Sequence, residues 1–315
     1  MKLNNDIKSF NELISIVAAD INIPPNAVKK DYFIVKLLQN LQNSSFAELI
    51  VFKGGTSLSK CYPGSIERFS EDIDLTFIPN DNNMSDKQYD KAIKRIETAI
   101  IGDAISQKID SERSKRKKST YVWLDETTKD EDKIKLEIGS TVEPYPFEKR
   151  MLKTYIQEYL ESKNMSDIVQ EFELEEVEIN VLCIDRTFID KLFAVKRHAI
   201  AGDLSHKVRH IYDVTRLFDM PEIKDFLADK QILKEIVKKT KDTDLYYLEK
   251  VSAANAYNPT EAYDFLSWKK YLDGTIKANY ETLHHNLLFT NEKQEFSKAL
   301  ATFEKISNLL AEIKE

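Results

Sequence analysis

Asp72 and Asp74 stand two residues apart in a segment, Asp72-Ile73-Asp74-Leu75-Thr76-Phe77, that alternates polar with apolar side chains. Such alternation marks a half-buried strand, so both carboxylates leave one face, with Cα atoms roughly 6.6 Å apart. Two carboxylates this close repel unless a cation lies with them. Mg²⁺ is bound in this manner, by one or two carboxylates together with substrate phosphates. Upstream, Leu49-Ile50-Val51-Phe52 is a short apolar run that reads as a buried strand. Gly54 and Gly55 then permit a sharp turn, and Thr56-Ser57-Leu58-Ser59-Lys60 can start a helix there. Free N–H groups at a helix N-terminus bind phosphate. Residues 49–77 thus offer a phosphate cradle followed by a metal-binding strand, the minimum equipment for phosphoryl or nucleotidyl transfer. Gly-Gly alone and Asp-x-Asp alone are weak signals, and a turn followed by strand-end acids is the plain structural alternative. Their coupling in one strand–turn–helix–strand unit is what points to chemistry.

The elements that position these groups can be read on either side. Residues 6–42 carry helical apolar spacing, Ile7, Phe10, Leu13, Ile14 and Val17, then Val28, Tyr32, Val35, Leu38 and Leu41, interrupted at Pro24-Pro25. An amphipathic helix is expected from Tyr89 to Ile105, and strands at Thr120–Leu124, Lys133–Gly139 and Val177–Ile184. In Lys133–Gly139, Lys133, Lys135 and Glu137 share one face and Ile134, Leu136 and Ile138 the other. From Arg186 onward the chain reads as helical, ending in a long amphipathic helix with Phe296, Ala299, Leu300, Phe303, Ile306, Leu310 and Ile313 on one side. Trp268, Lys269, Lys270 and Tyr271 mix aromatic and basic character; core packing is the simpler account, stacking on unpaired RNA bases the other.

Lys53-Gly54-Gly55-Thr56-Ser57-Leu58-Ser59-Lys60, followed by Arg68-Phe69-Ser70-Glu71-Asp72-Ile73-Asp74-Leu75, resembles the first motif of the DNA polymerase β-like nucleotidyltransferases. In detail it is similar to the AbiEii/AbiGii toxin branch, where Gly-Gly-Thr-Ser/Ala-Leu and Arg-Phe/Tyr-Ser-x-Asp-Ile-Asp-Leu occur together. The Gly55–Asp72 interval is longer than in the general superfamily motif but suits that branch. The resemblance, which covers roughly residues 28–218, implies an α+β fold. A polymerase β-like domain with a mixed sheet would occupy residues 1–185, and a helical C-terminal domain, residues 186–315, would complete the active site. It implies that Lys53, Gly54, Gly55, Thr56, Ser57 and Ser70 bind nucleotide, and that Asp72 and Asp74 hold metal together with a third carboxylate on a neighbouring strand. Glu137 best fits that place, although the family often has Asp there. Asp190-Lys191-Leu192-Phe193-Ala194-Val195 is similar to the family segment whose lysine serves the active site, so Lys191 would bind the triphosphate or stabilise leaving pyrophosphate. Asp213 stands where the family has an essential Asp, to orient Lys191 or to act as a base. Arg209, Asp213 and Arg216 share a helix face, and an Arg209–Asp213 pair is the plainer reading of that spacing.

The whole chain sets bounds on these expectations. Its 315 residues suffice for a large core and two domains, and 42% hydrophobic with 31% charged residues suit a globular protein. The N-terminus lacks the apolar centre of a signal peptide, no run is long enough to span a bilayer, and two cysteines, Cys61 and Cys183, form no framework. A cytoplasmic location follows as the simplest expectation. A net charge of −7 weighs against bulk coating of nucleic acid but not against a local basic patch. The densest candidate is Arg113-Ser114-Lys115-Arg116-Lys117-Lys118, read as a solvated loop or, with Arg209, as an RNA-phosphate contact. His206 and His210 have H-x-x-x-H spacing near His198, but without the Glu of a zinc-protease helix a zinc site is disfavoured.

Together these readings describe an NTP-dependent nucleotidyltransferase using Mg²⁺, or Mn²⁺ in its place. The resemblance implies transfer to the 3′ end of tRNA, blocking translation within a toxin–antitoxin or abortive-infection system, with a cognate antitoxin as partner. A nucleotidyltransferase acting on a small molecule or protein, and a non-catalytic RNA- or protein-binding module of the same fold, are the alternatives.

Overall fold

In the computed structural model the described residues are 1–80, 83–124, 129–251, 257–283, 288–289 and 293–313. They divide into two compact units, one comprising residues 1–61, 69–140 and 147–182, the other residues 62–68, 141–146 and 183–315.

The first unit is built on a seven-stranded mixed sheet. Its strands are β1 Ile50–Lys53, β2 Ile73–Phe77, β3 Ile105–Lys108, β4 Lys117–Trp123, β5 Ile134–Gly139, β6 Phe147–Leu152 and β7 Val177–Leu182. They lie in the order β3-β4-β5-β2-β1-β7-β6. The pairs β1–β7 and β2–β5 are parallel, while β1–β2, β3–β4, β4–β5 and β6–β7 are antiparallel. The fold is thus α+β with a mixed sheet, as the residues and the resemblance imply. Its helices are α1 Ile7–Asp20, α2 Pro25–Gln42, α3 Gly54–Cys61, α4 Asp86–Ile101, α5 Lys129–Asp132, α6 Tyr155–Ser162 and α7 Ser166–Glu171.

Local chemistry explains the boundaries. Asp6 caps α1 by accepting from the Ser9 N–H, and Pro25 opens α2 at the first helical position, where its missing N–H costs nothing. Ser85 and Gln88 form a capping box at the start of α4. That helix stops at Ile101 rather than Ile105, because Gly102 takes φ 56° and returns its N–H to the Thr98 carbonyl; Ile105 instead begins β3. Strand β6 is not among the strands expected from the sequence. Its residues, Phe-Glu-Lys-Arg-Met-Leu, have a charged centre and only Leu152 buried, as suits an edge strand, and so carry no apolar alternation. The helix side of the sheet is dry. Helix α4 packs Ile93, Ile96 and Ile100 onto β4 and β5, and α2 packs on β7. Each such side chain contributes roughly 1.5–3 kcal/mol of burial.

The second unit is helical: α8 Ile184–Ala201, α9 Arg209–Phe218, α10 Pro221–Ala228, α11 Lys230–Val251, α12 Phe265–Trp268, α13 Gly274–Glu281 and α14 Phe296–Ala311. Phe265, Trp268 and Phe303 form its aromatic centre, with ring centroids 4.9–6.0 Å apart. Trp268 is therefore a core residue. Arg186, fully buried, ties α8 to residues 141–146 by donating to the Tyr145 carbonyl at 2.8 Å while pairing with Asp190. No described helix is long and apolar enough to cross a membrane.

Candidate active site

Strand register does most of the positioning on the first unit. Asp74 on β2 faces Lys53 on β1 and Glu137 on β5 as direct Cα partners, so the three side chains form one row on the same side of the sheet. All three are half-buried, whereas their strand neighbours Ile73, Leu75, Leu136 and Ile138 are buried on the helix side. Asp72 stands one residue before β2, with Ile73 buried between it and Asp74, so the two aspartates alternate as expected although the strand begins at Ile73.

The glycine turn is fitted to Asp74. Gly54 has φ +89°, a conformation L side chains rarely adopt, and a Cβ on it would lie 2.4 Å from Asp74 Oδ2. Backbone and carboxylate can approach this closely only because position 54 carries no side chain. Helix α3 starts at Gly54 itself, two residues earlier than the Thr56 start in the sequence reading. Thr56 and Ser57 are buried in its first turn. The Thr56 hydroxyl donates to the Asp72 carbonyl and shares a 3.0 Å hydroxyl–hydroxyl bond with Ser70, and the Ser57 hydroxyl donates to the Gly54 carbonyl. These bonds tie the turn to the acidic strand. The helix is anchored at its other end by Lys60, whose ammonium meets buried Asp31 of α2 at 2.8 Å and lies 3.9 Å from the Tyr155 ring centroid. Asp31 also accepts the Tyr155 N–H at 2.7 Å. Burial raises the Asp31 pKa in spite of Lys60. Asp31 is thus a packing residue inside this unit.

Glu137 holds its place in the row, but its oxygens are engaged by Lys117 at 2.9 Å and Lys135 at 3.3 Å. Burial alone would raise its pKa; Lys117, Lys53 and Lys135 outweigh that and hold the carboxyl below the usual range. Among the described residues no group of three or more His, Cys, Asp or Glu is gathered to hold a metal. Asp72, Asp74 and Glu137 are hard oxygen donors of the right chemistry. They fit a magnesium-class ion completed by nucleotide phosphates rather than a closed protein cage.

On the second unit, Lys191 and Asp213 meet at 2.8 Å, both almost fully buried. Arg68 joins them, its Nε 2.6 Å from Asp213 Oδ1 and its Nη2 2.7 Å from Oδ2, a two-point grip across 145 residues of sequence. The next chain residue back, Glu67, pairs with Arg216 at 3.0 Å, so Glu67 and Arg68 hold α9 at positions three apart. The spacing on α9 suggested Arg209 as the partner of Asp213; the structure supplies Arg68 and Lys191. Burial works against the Asp213 carboxylate, but Arg68 and Lys191 overcome it and keep its pKa well below the ordinary range. Burial first, then the Arg68 charge, pushes Lys191 down, with Asp213 opposing. Arg68 belongs to the Arg-Phe-Ser stretch of the first motif. That motif was its only signal, since nothing in the local sequence names a partner on α9.

His198 and His210 stack with centroids 6.1 Å apart, and the His198 Nδ1 faces Asp203 at 2.9 Å. Burial depresses both imidazoles below the ordinary histidine range, His210 well below it.

The basic run is drawn into the fold. Arg113 grips Glu97 with two 2.9 Å bonds, Arg116 meets Asp86 at 2.8 Å and lies over the Tyr89 ring, Lys117 meets Glu137, and buried Lys118 meets Asp90 at 2.6 Å. Only Lys115 is exposed without such a pair. Asp86, Asp90 and Glu97 fall four and then seven residues apart on α4, a one-sided acidic stripe that meets this run. Arg209 is half-buried at the start of α9.

Among solved structures, the chain is similar to MenT4, a nucleotidyltransferase toxin from Mycobacterium tuberculosis H37Rv, at 17% identity over 96% of this chain and 99% of that one, with a TM-score of 0.48. It is also similar to JHP933 from Helicobacter pylori, at 16% identity over 91% and 92% of the two chains, with a TM-score of 0.41. No curated protein matches it. The family described as nucleotidyl transferase AbiEii toxin, type IV toxin–antitoxin system, matches residues 36–301. With its first motif formed by the turn at Gly54 and the row at Asp74, and with most of its length inside that match, the chain belongs to the AbiEii nucleotidyltransferase toxin family.

Proposed function

We propose that this toxin transfers a nucleotidyl group from an NTP, in a Mg²⁺- or Mn²⁺-dependent reaction, to the 3′ end of tRNA, and that a cognate antitoxin counters it in the cytoplasm. The observation that carries the reading is the row Lys53–Asp74–Glu137 with Gly54 closed against Asp74. It sets acidic oxygens beside backbone that can cradle phosphate, the pairing that nucleotidyl transfer requires. Asp72 and Asp74 would hold the cation, which supplies charge neutralisation on the phosphates when bound. Glu137, paired with Lys117 and Lys135, stands where it could add a third oxygen.

The residues of the chain have separable tasks in this scheme. Lys53, Gly54, Gly55 and Ser70 would face the nucleotide, with the buried hydroxyls of Thr56 and Ser57 fixing the turn behind them. The acceptor hydroxyl oxygen forms a bond to the α-phosphorus as the bond to the bridging oxygen of pyrophosphate breaks, and the hydroxyl proton passes to water. Lys191 serves the triphosphate as a mobile point charge. Asp213 orients Lys191 and is not the base: both its oxygens are engaged, it is fully buried, and a carboxylate held this far down is a poor proton acceptor near neutral pH.

The test is incubation of the protein with each labelled NTP, Mg²⁺ and total cellular RNA. Label in tRNA-sized RNA, lost with Asp74→Asn, is the expected result. Label in a small molecule or a protein instead would refute the RNA acceptor, and no turnover of any NTP would refute the enzyme reading.

A further inference from the structure

We propose that Arg68 is the positioning residue that allows Lys191 to exchange a carboxylate for a phosphate, an inference that rests on the assignment of Lys191 to the triphosphate. Two buried cations, Arg68 and Lys191, meet one buried carboxylate, Asp213. A buried carboxylate is costly to leave unpaired, so Lys191 can leave Asp213 only where another cation stays with it. An ammonium has three donors. Asp213 is the ion-pair partner of Lys191 among the described residues, whereas the Arg68 fork is committed to both Asp213 oxygens.

The two cations therefore differ in what they can give up. Were Lys191 the sole partner of Asp213, the pair would be neutral, and drawing Lys191 towards a phosphate would strand a buried carboxylate. With Arg68 present, Asp213 keeps a two-point partner whether Lys191 is bound to it or has moved. Arginine suits the fixed task because its guanidinium is planar and permanently charged, and lysine the mobile one. Arg68 is itself held firmly. Its backbone bridges to Leu288, the Glu67 carbonyl accepts the Phe289 N–H at 2.9 Å, and the Glu67 carboxylate meets Arg216. Burial lowers the Lys191 pKa, Asp213 opposes it, and the Arg68 charge adds to the lowering.

The experiment is direct titration of NTP binding, with a thermal melt of each variant to establish folding. Lys191→Ala and Arg68→Met are each expected to weaken NTP binding by about tenfold or more. Asp213→Asn added to Arg68→Met should recover much of that loss, because it releases Lys191 from the carboxylate. A purely structural role for Arg68 predicts the opposite, further loss in the double variant. A cooperatively melting Arg68→Met/Asp213→Asn protein that binds NTP no better than Arg68→Met overturns the inference. Should Arg68→Met not fold, Arg68→Lys keeps the charge without the two-point grip, and Arg68→Lys is compared with Arg68→Lys/Asp213→Asn in the same way. If Lys191→Ala binds NTP like the parent, it is the assignment of Lys191 to the triphosphate that fails.

Discussion

Gly54→Ala isolates the contact on which the catalytic reading depends. Two effects follow from the geometry. First, alanine at φ +89° costs about 1–2 kcal/mol of stability, the ordinary penalty of a left-handed conformation for an L residue. Second, the new methyl would lie 2.4 Å from Asp74 Oδ2, 3.2 Å from its Cγ and 3.3 Å from its Cβ. Real contacts start near 3.0 Å, so the carboxylate must retreat by at least 0.6 Å. Misplacing a reacting group by about 1 Å costs on the order of a hundredfold in rate, so transfer should fall by roughly ten- to a hundredfold. Gly202→Ala is the control. Gly202, at the end of α8, has φ +80° and nothing within 4 Å of a built Cβ, so it carries the backbone penalty without the clash. Thermal melts and labelled-NTP transfer are measured on both proteins. Similar destabilisation in the two, with activity lost in Gly54→Ala alone, is the expected outcome. A folded Gly54→Ala protein that keeps activity within about threefold of the parent would show that the position of Asp74 does not govern the reaction.

Asp74→Asn should abolish transfer while leaving the melting temperature within a few degrees of the parent, since Asp74 is half-buried and lies outside the apolar core; a folded, active Asp74→Asn protein would remove it from the site. Burial pushes the Cys61 thiol up to about 12 from an ordinary 9.0, which means about a thousandfold less thiolate at neutral pH. Alkylation of the native protein should therefore modify half-buried Cys183 first and Cys61 only on unfolding, as peptide mapping would show; early labelling of Cys61 would contradict its packing. Glu97 is buried, which would raise its pKa, but Arg113 and Thr120 bring it below the ordinary 4.5. A depressed folded pKa stabilises above the unfolded value and loses that contribution as pH falls through the folded one. Glu97→Gln should thus flatten the acid side of the stability profile below about pH 4.5; an unchanged acid slope would mean that the Arg113 pair contributes nothing. Lys118→Glu should lower the melting temperature, because it sets a second negative charge against Asp90 in a buried position; an unaltered melt would restore the run to the surface as a candidate RNA contact.

What was legible in the sequence was whatever depended on near neighbours. The break at Pro24-Pro25 and the alternation in Lys133–Gly139 each act within a few residues, and each leaves its signature in the elements formed. The edge strand β6 was missed for the converse reason: with no face to bury, it had no period to show. The ion pairs of the basic run were not legible, because like charges in a row were read without their partners. Its counter-charges lie on α4, from 16 to 30 residues away, and a stripe of acids is evident only once the helix is wound. The Arg68–Asp213 contact is the extreme case. Nothing within reach of either residue in sequence predicts the other, and the spacing on α9 favoured Arg209, a nearer cation. Burial decides between them. A carboxylate with no exposed surface cannot be satisfied by one partly solvated arginine at the start of its own helix, and it needs donors that are themselves desolvated and aimed at both oxygens. A loop that is free to carry a guanidinium to that point can meet the need, and residues 62–68, next to the glycine turn in the chain, are such a loop. The motif that shapes the acidic row thereby also supplies the residue that frees Lys191, so a single change at Arg68 is expected to affect NTP binding without altering the register of Lys53, Asp74 and Glu137.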